Sequence, residues 1–130
     1  MEEMDQGRIL VVEDEESMAR LLKCQLEESG YEVQIAECGS RALSYSEEHW
    51  LDLVILDVTL PDLHGYQVCQ ELRRRYHPWV VPILMLAGTA QPIDQLRGFA
   101  YGADAYMTKP FELTELMRTV SLLLGKLVLN

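Results

Sequence analysis

Short apolar runs that alternate with helical segments constrain the fold of this chain more than any other feature. A run that is apolar at every position is typical of a strand buried on both faces, and such strands occur in parallel sheets. Four runs of this kind lie at residues 9–12, 53–56, 83–86 and, more weakly, 105–107, and residues 31–36 alternate as an edge strand would. The sequence therefore predicts a sheet of five strands.

Apolar side chains with helical spacing lie between these runs. Met18, Leu22 and Leu26 share one helical face, and Gly30 follows as a stop signal. Because strands and helices alternate, and parallel strands need crossover connections, the sequence predicts an α/β fold, a three-layer sandwich with helices on both faces of the sheet. One predicted helix carries Met18, Leu22 and Leu26 and stops at Gly30, and the others span residues 41–48, 63–76, 93–101 and 113–124.

Length and charge bound the function. A chain of 130 residues favours a single domain, and 11 basic against 21 acidic residues give a net charge of −10, which disfavours nucleic acid and anionic membranes as partners. The apolar runs are far shorter than the ~20 residues of a membrane span. The acidic start does not resemble a secretory signal. Three cysteines without a CxxC pair indicate reduced thiols in a cytosolic protein.

Charged side chains follow three of the predicted strands. Glu13 and Asp14 follow the first run, Asp57 the third strand and Lys109 the last. Ligands of open α/β sheets bind at the carboxyl ends of the strands, so we expect these groups to meet there. A divalent cation would relieve the repulsion between the carboxylates, and oxygen ligands suit Mg²⁺. A carboxylate beside Mg²⁺ can attack a phosphoryl group and form an aspartyl-phosphate, with the metal and a lysine neutralising charge.

Each of these residues also has a simpler explanation. Glu15 and Glu16 fit the first turn of a helix, where acids meet the helix dipole. Asp57 could start a turn, and Lys109 could be an ordinary surface lysine. Residues 73–75, three arginines, fit the negative end of the third helix rather than an anion site. No single residue is specific for a phosphoryl-transfer site; only the combination of charged residues at the ends of strands one, three and five is.

Three motifs together carry a family resemblance. They are Ile-Leu-Val-Val-Glu-Asp-Glu at 9–15, Asp-Val-Thr-Leu-Pro-Asp-Leu-His-Gly at 57–65 and Gly-Ala-Asp-Ala-Tyr-Met-Thr-Lys-Pro-Phe at 102–111. The chain resembles the receiver domain of bacterial two-component response regulators from residue 8 to residue 124. Residues 1–7 are then expected to be a disordered lead, and residues 125–130 a tail or the start of a linker. The resemblance implies a flavodoxin-like fold, with five parallel strands in the order 2-1-3-4-5 and five helices.

The resemblance also implies a role for each site residue. Asp57 matches the phosphoacceptor, and Lys109 matches the lysine that pairs with the phosphoryl group. Asp14 matches a direct Mg²⁺ ligand, and Glu13 matches the acidic neighbour that binds the ion through water. The backbone carbonyl of Thr59 would be a further ligand.

One position departs from the family pattern. Family members carry Thr or Ser at the end of strand four, where this chain has Ala87, which cannot donate a hydrogen bond to the phosphoryl group. The conformational switch is therefore expected to be weakened. Gly88 still offers a backbone N–H, Thr89 is a possible substitute hydroxyl, and Tyr106 matches the aromatic residue of the family switch. A cis peptide bond is implied before Pro110.

These features predict a signalling phosphoacceptor rather than a metabolic enzyme. The implied partners are a sensor histidine kinase or phosphotransfer protein and a downstream effector domain or protein, in the cytoplasm, without direct contact to nucleic acid or membrane. Ala87 leaves open a pseudo-receiver, a protein-interaction module that acts without phosphorylation. An aspartyl phosphatase would need a second Asp where Thr59 stands, and a flavin site would need a phosphate loop where Glu13 and Asp14 stand, so both fit poorly.

Overall fold

The computed structural model describes residues 7–75, 81–88 and 91–125, so Thr89, the lead before Gly7 and the tail after Gly125 lie outside the described residues. A parallel sheet in the order β2-β1-β3-β4-β5 forms the centre of the molecule, which confirms the predicted fold. The elements are β1 (Arg8–Val12), α1 (Glu16–Glu28), β2 (Glu32–Ala36), α2 (Gly39–Glu48), β3 (Leu53–Asp57), α3 (Gly65–Arg75), β4 (Ile83–Ala87), α4 (Pro92–Ala100), β5 (Ala105–Thr108) and α5 (Leu113–Leu123).

Two hydrophobic layers explain why the strands are apolar at consecutive positions. In β1, Leu10 and Val12 point into the layer that holds α2 and α3, whereas Ile9 and Val11 point into the layer that holds α1 and α5. All four side chains are buried. Burying one such side chain contributes about 1.5–3 kcal/mol, so strands with two apolar faces are stable only between two layers of helices.

The start of α3 differs from the prediction. The helix begins at Gly65, so Leu63 and His64 belong to the loop after β3 rather than to the helix. The Gly65 amide donates a 2.7 Å hydrogen bond to the carbonyl oxygen of Val58 and closes this loop. Leu63 fitted the apolar periodicity of the helix, and periodicity alone does not reveal where a loop closes.

The end of α3 is tied to the neighbouring strand connection through Arg73. The three arginines lie in the last turn of α3, as predicted, but the Arg73 side chain is only 14% exposed. Its guanidinium donates to the carbonyl oxygens of Val81 and Gly102 and pairs with Asp104. Arg73 therefore anchors the end of α3 to the start of β4 and to the turn between α4 and β5. None of the helices in the described ranges is long and apolar enough to cross a bilayer.

Candidate functional site

Three charged side chains meet at the carboxyl edge of the sheet. Glu13 follows β1, and its amide donates to the Ala36 carbonyl oxygen at 3.0 Å. Asp57 is the last residue of β3. Lys109 follows β5, and its amide donates to the Ala87 carbonyl oxygen at 2.7 Å. Because all five strands are parallel, their ends lie along one edge, and the predicted meeting of these groups is confirmed.

One ammonium group is shared by two buried carboxylates. The Lys109 Nζ lies 3.1 Å from Glu13 Oε1 and 3.1 Å from Asp57 Oδ2. The side chains of Glu13 and Asp57 are only 1% and 7% exposed. Asp14 is exposed, and it offers a carboxylate oxygen within 4.8 Å of oxygens from the other two acids. The cluster therefore has three carboxylates and one cation, and its excess of negative charge is unbalanced.

Burial and like charge change the proton affinity of the cluster. Burial raises the pKa of Glu13 from 4.5 to about 7, the hydrogen bond from Lys109 opposes this rise, and the charge of Asp57 adds to it. Burial also lowers the pKa of Lys109, but its hydrogen bonds to Glu13 and Asp57 outweigh burial and raise that pKa overall. Lys109 is therefore always charged near neutral pH, while Glu13 holds a proton part of the time.

The donor set fits a hard divalent cation. Each of the three carboxylates presents one oxygen within 4.8 Å of the other two, and the negative excess favours a further positive charge there. The Thr59 amide donates a 3.1 Å hydrogen bond to Asp57 Oδ1, whereas Lys109 donates to Oδ2. Asp57 thus has one oxygen held by an amide and the other by an ammonium. The peptide bond between Lys109 and Pro110 is cis, as the resemblance implied.

Three of the predicted switch residues, Ala87, Gly88 and Tyr106, lie in β4, directly after β4 and in β5. Ala87 is buried at the end of β4 and supplies no hydroxyl, and Gly88 is exposed next to it. Tyr106 of β5 is half-buried and packs against α4, where a Cβ on Gly98 would lie 3.0 Å from the Tyr106 ring. The Tyr106 and Phe99 rings lie 6.5 Å apart between centroids. The aromatic ring predicted to sense the site therefore contacts α4 directly.

Sequence reasoning missed the role of Asp62. This residue was seen only as part of the motif after Asp57, yet its carboxylate accepts hydrogen bonds from the amides of Gly39 and Ser40 at the start of α2. One signal was available: Cys38, the residue before α2, is a poor helix cap, and its side chain makes no capping hydrogen bond. A helix start without its own cap indicates that a partner comes from elsewhere in the fold.

Comparisons with known proteins agree with this geometry. The family model described as "Response regulator receiver domain" matches residues 9–121. The chain is 45% identical over 119 residues to the alkaline phosphatase synthesis transcriptional regulatory protein PhoP of Bacillus subtilis, covering 92% of this chain and 49% of that protein. It is 39% identical to the DNA-binding dual master transcriptional regulator RpaA of Synechocystis, over 92% and 49% of the two chains. The chain thus spans about half the length of these curated relatives.

Solved structures give the same answer for the fold. A putative response regulator from Chloroflexus aurantiacus has a TM-score of 0.84 and 36% identity, covering 92% of this chain and 98% of that one. The response regulator TrrA of Thermotoga maritima, solved in complex with Mg(2+)-BeF, has a TM-score of 0.79 and 38% identity, covering 89% and 97%. With a family model that matches most of its length and relatives this similar, the chain belongs to the response regulator receiver domains.

Proposed function

We propose that this domain, residues 8–124, accepts a phosphoryl group on Asp57 in two-component signalling, with Mg²⁺ as the cofactor. The observation that carries the proposal is the buried pair of carboxylates, Glu13 and Asp57, that shares the single ammonium of Lys109 beside Asp14. Crowded buried carboxylates cost free energy unless a ligand uses them. The Thermotoga maritima relative was solved with Mg(2+)-BeF, which supports the choice of ligand.

The contacts of Asp57 support its proposed role as the nucleophile. A carboxylate oxygen of Asp57 attacks the phosphorus of the donor, the new O–P bond forms, and the bond to the leaving group breaks with its electron pair. The Thr59 amide and the Lys109 ammonium each hold one Asp57 oxygen, so the nucleophile is oriented before the donor arrives. Lys109 is also placed to pair with the transferred group.

The metal would be held by the acids of the cluster. Glu13, Asp14 and Asp57 supply carboxylate oxygens, and the backbone carbonyl of Thr59 completes the proposed protein ligands. When bound, Mg²⁺ supplies positive charge that neutralises the developing charge on the phosphoryl oxygens. The Lys109 side chain is partly exposed, so its ammonium can meet a donor group that arrives from solvent.

The direct test is the phosphoryl content of the intact protein. After incubation with Mg²⁺ and a small phosphodonor, mass spectrometry is expected to find one added phosphoryl group on the wild type and none on Asp57→Asn, because the amide is not a nucleophile. Asp94→Asn, on α4, serves as the matched control and is expected to be labelled like the wild type. Equal labelling of wild type and Asp57→Asn would remove Asp57 from the proposal, and no labelling of the wild type would favour a pseudo-receiver.

The missing hydroxyl at position 87 gives a second test. Ala87→Thr is expected to enlarge the structural change on phosphorylation, since a hydrogen bond to a charged group contributes about 1.5–3 kcal/mol toward the phosphorylated conformation. Ala87→Val adds similar bulk without a hydroxyl and is the control. Amide chemical shifts of β4 and α4 are compared with and without phosphorylation. Equal changes in the Thr and Val variants would show that bulk, not the hydroxyl, governs the response.

The partners follow from the family and from charge. We infer that a sensor histidine kinase or phosphotransfer protein supplies the phosphoryl group in the cytoplasm and that a downstream effector domain or protein responds. Two of the relatives are named transcriptional regulators. With a net charge of −10, this domain itself is not suited to bind nucleic acid or an anionic membrane. Any contact with DNA would be made by the effector.

A further inference from the structure

The first turn of α2 has no capping side chain of its own. Cys38 is its N-cap residue, has extended backbone and makes no side-chain capping bond. The first amides of a helix have no partner within the helix, so they need acceptors from outside. Here the acceptors come from Asp62, which lies 23 residues from Gly39 in sequence.

Asp62 satisfies three amides with one carboxylate. Its Oδ1 accepts from Gly39 at 2.8 Å and from Leu63 at 2.7 Å, and its Oδ2 accepts from Ser40 at 2.9 Å. These amides hold the pKa of Asp62 well below its usual range. A carboxylate at a helix N-terminus is also favoured by the helix dipole. The carboxylate thus joins the loop after β3 to the start of α2.

The loop between β3 and α3 is held at two points. The bond from the Gly65 amide to Val58 closes its base, and Asp62 holds its tip against α2. The approach at the tip is close, since a Cβ on Gly39 would lie 2.9 Å from the Leu63 Cβ. Thr59 lies within this loop, and its amide donates to Asp57 Oδ1 at 3.1 Å.

We propose that Asp62 is a positioning residue of the phosphoacceptor site: by clamping the loop to α2, it sets the backbone of Thr59 and so the orientation of Asp57 toward the metal. The proposal rests on the function proposed above. Asp62 does not contribute to the metal cluster itself, and its effect passes through the loop backbone. Removing the clamp lets the Thr59 backbone sample orientations in which the metal has fewer well-placed oxygens.

The test uses two variants of the whole chain and three readouts. Asp62→Ala removes all three hydrogen bonds. Asp62→Asn keeps the two that Oδ1 accepts, but its side-chain NH2 group faces the Ser40 N–H, so the third hydrogen bond is lost. Mg²⁺ affinity, measured by calorimetric titration, is expected to fall roughly tenfold in Asp62→Ala and less in Asp62→Asn. Hydrogen exchange at the Thr59 amide, measured without metal, is expected to speed up in the same order. Phosphorylation at saturating Mg²⁺ is expected to approach the wild-type rate.

Arg41→Gly is the matched control. Arg41 is exposed on α2, so glycine there weakens the helix without touching the loop. An equal loss of Mg²⁺ affinity in Arg41→Gly would assign the effect to helix stability and overturn the positioning role. Unchanged affinity and exchange in both Asp62 variants would overturn it too. If the wild type takes up no phosphoryl group, the proposed function fails, and the Thr59 exchange still decides whether Asp62 positions the loop.

Discussion

The metal-free protein is expected to lose on the order of 3 kcal/mol of stability from Glu13 as the pH rises from about 4.5 to above 7. The pKa of Glu13 is raised to about 7 in the folded state against an ordinary value of 4.5, so the folded protein binds this proton more tightly than the unfolded chain. The stabilisation from the Glu13 proton is therefore fully present below pH 4.5, and it is lost as the pH rises through about 7, the pKa of Glu13 in the folded protein. The groups that face Glu13 are Asp57, Asp14 and Lys109.

Comparison with Glu13→Gln isolates this contribution from other titrating groups. Urea unfolding in a chelator at a series of pH values should give curves for wild type and variant that diverge between pH 4.5 and 8, with the wild type losing more stability. Saturating Mg²⁺ should reduce the divergence, because the cation favours the ionised carboxylate. Parallel curves for the two proteins would show that Glu13 ionises in the folded state as it does in the unfolded chain.

Gly65→Ala is expected to destabilise the fold by roughly 3 kcal/mol. An added Cβ would lie 2.6 Å from the carbonyl oxygen of Asp57 and 2.6 Å from the Cα of Val58. Both are backbone atoms at the end of a buried strand, so no side chain can rotate to make room, and α3 must move away from β3. The midpoint of urea unfolding measures the loss.

Gly88→Ala provides the contrast for this second prediction. A Cβ at Gly88 would meet nothing within 4 Å. The unfolding midpoint of Gly88→Ala is therefore expected to stay close to that of the wild type or to rise slightly. A Gly65→Ala variant as stable as Gly88→Ala would show that α3 can shift on the end of β3 at no cost. Close packing at this junction would then not fix the start of the helix.

The sequence predicts the sheet and much of the site because both depend on local pattern. Ile9 and Leu10 face different hydrophobic layers, so both are apolar. A strand buried on both faces therefore appears in the sequence as an uninterrupted apolar run. Asp57 and Lys109 were found because parallel strands bring their ends to one edge. The spacing of residues along the sequence does not reveal how deeply a side chain is buried, however. Only the structure shows that Glu13 is almost completely buried and contacts Lys109.

What the sequence does not predict depends on contacts between distant segments. The Asp62 carboxylate accepts a hydrogen bond from Gly39, 23 residues away in sequence, and the Arg73 guanidinium donates to Gly102, 29 residues away. Neither contact has a periodicity, and each side chain also fits an ordinary exposed position. The start of α3 was misplaced for a different reason: the hydrogen bond from the Gly65 amide to Val58, which closes the preceding loop, is independent of the apolar pattern that marks the helix.

The Arg73 anchor has a mechanical consequence for α4. The Arg73 guanidinium donates hydrogen bonds to the carbonyl oxygen of Gly102. Gly102 follows the last turn of α4 and lies at the edge of the sheet opposite Asp57. Arg73 thus restrains one end of α4, a helix of nine residues that is about 13.5 Å long at 1.5 Å per residue. We therefore expect any rearrangement of α4 to displace Pro92 more than the end of the helix next to Gly102.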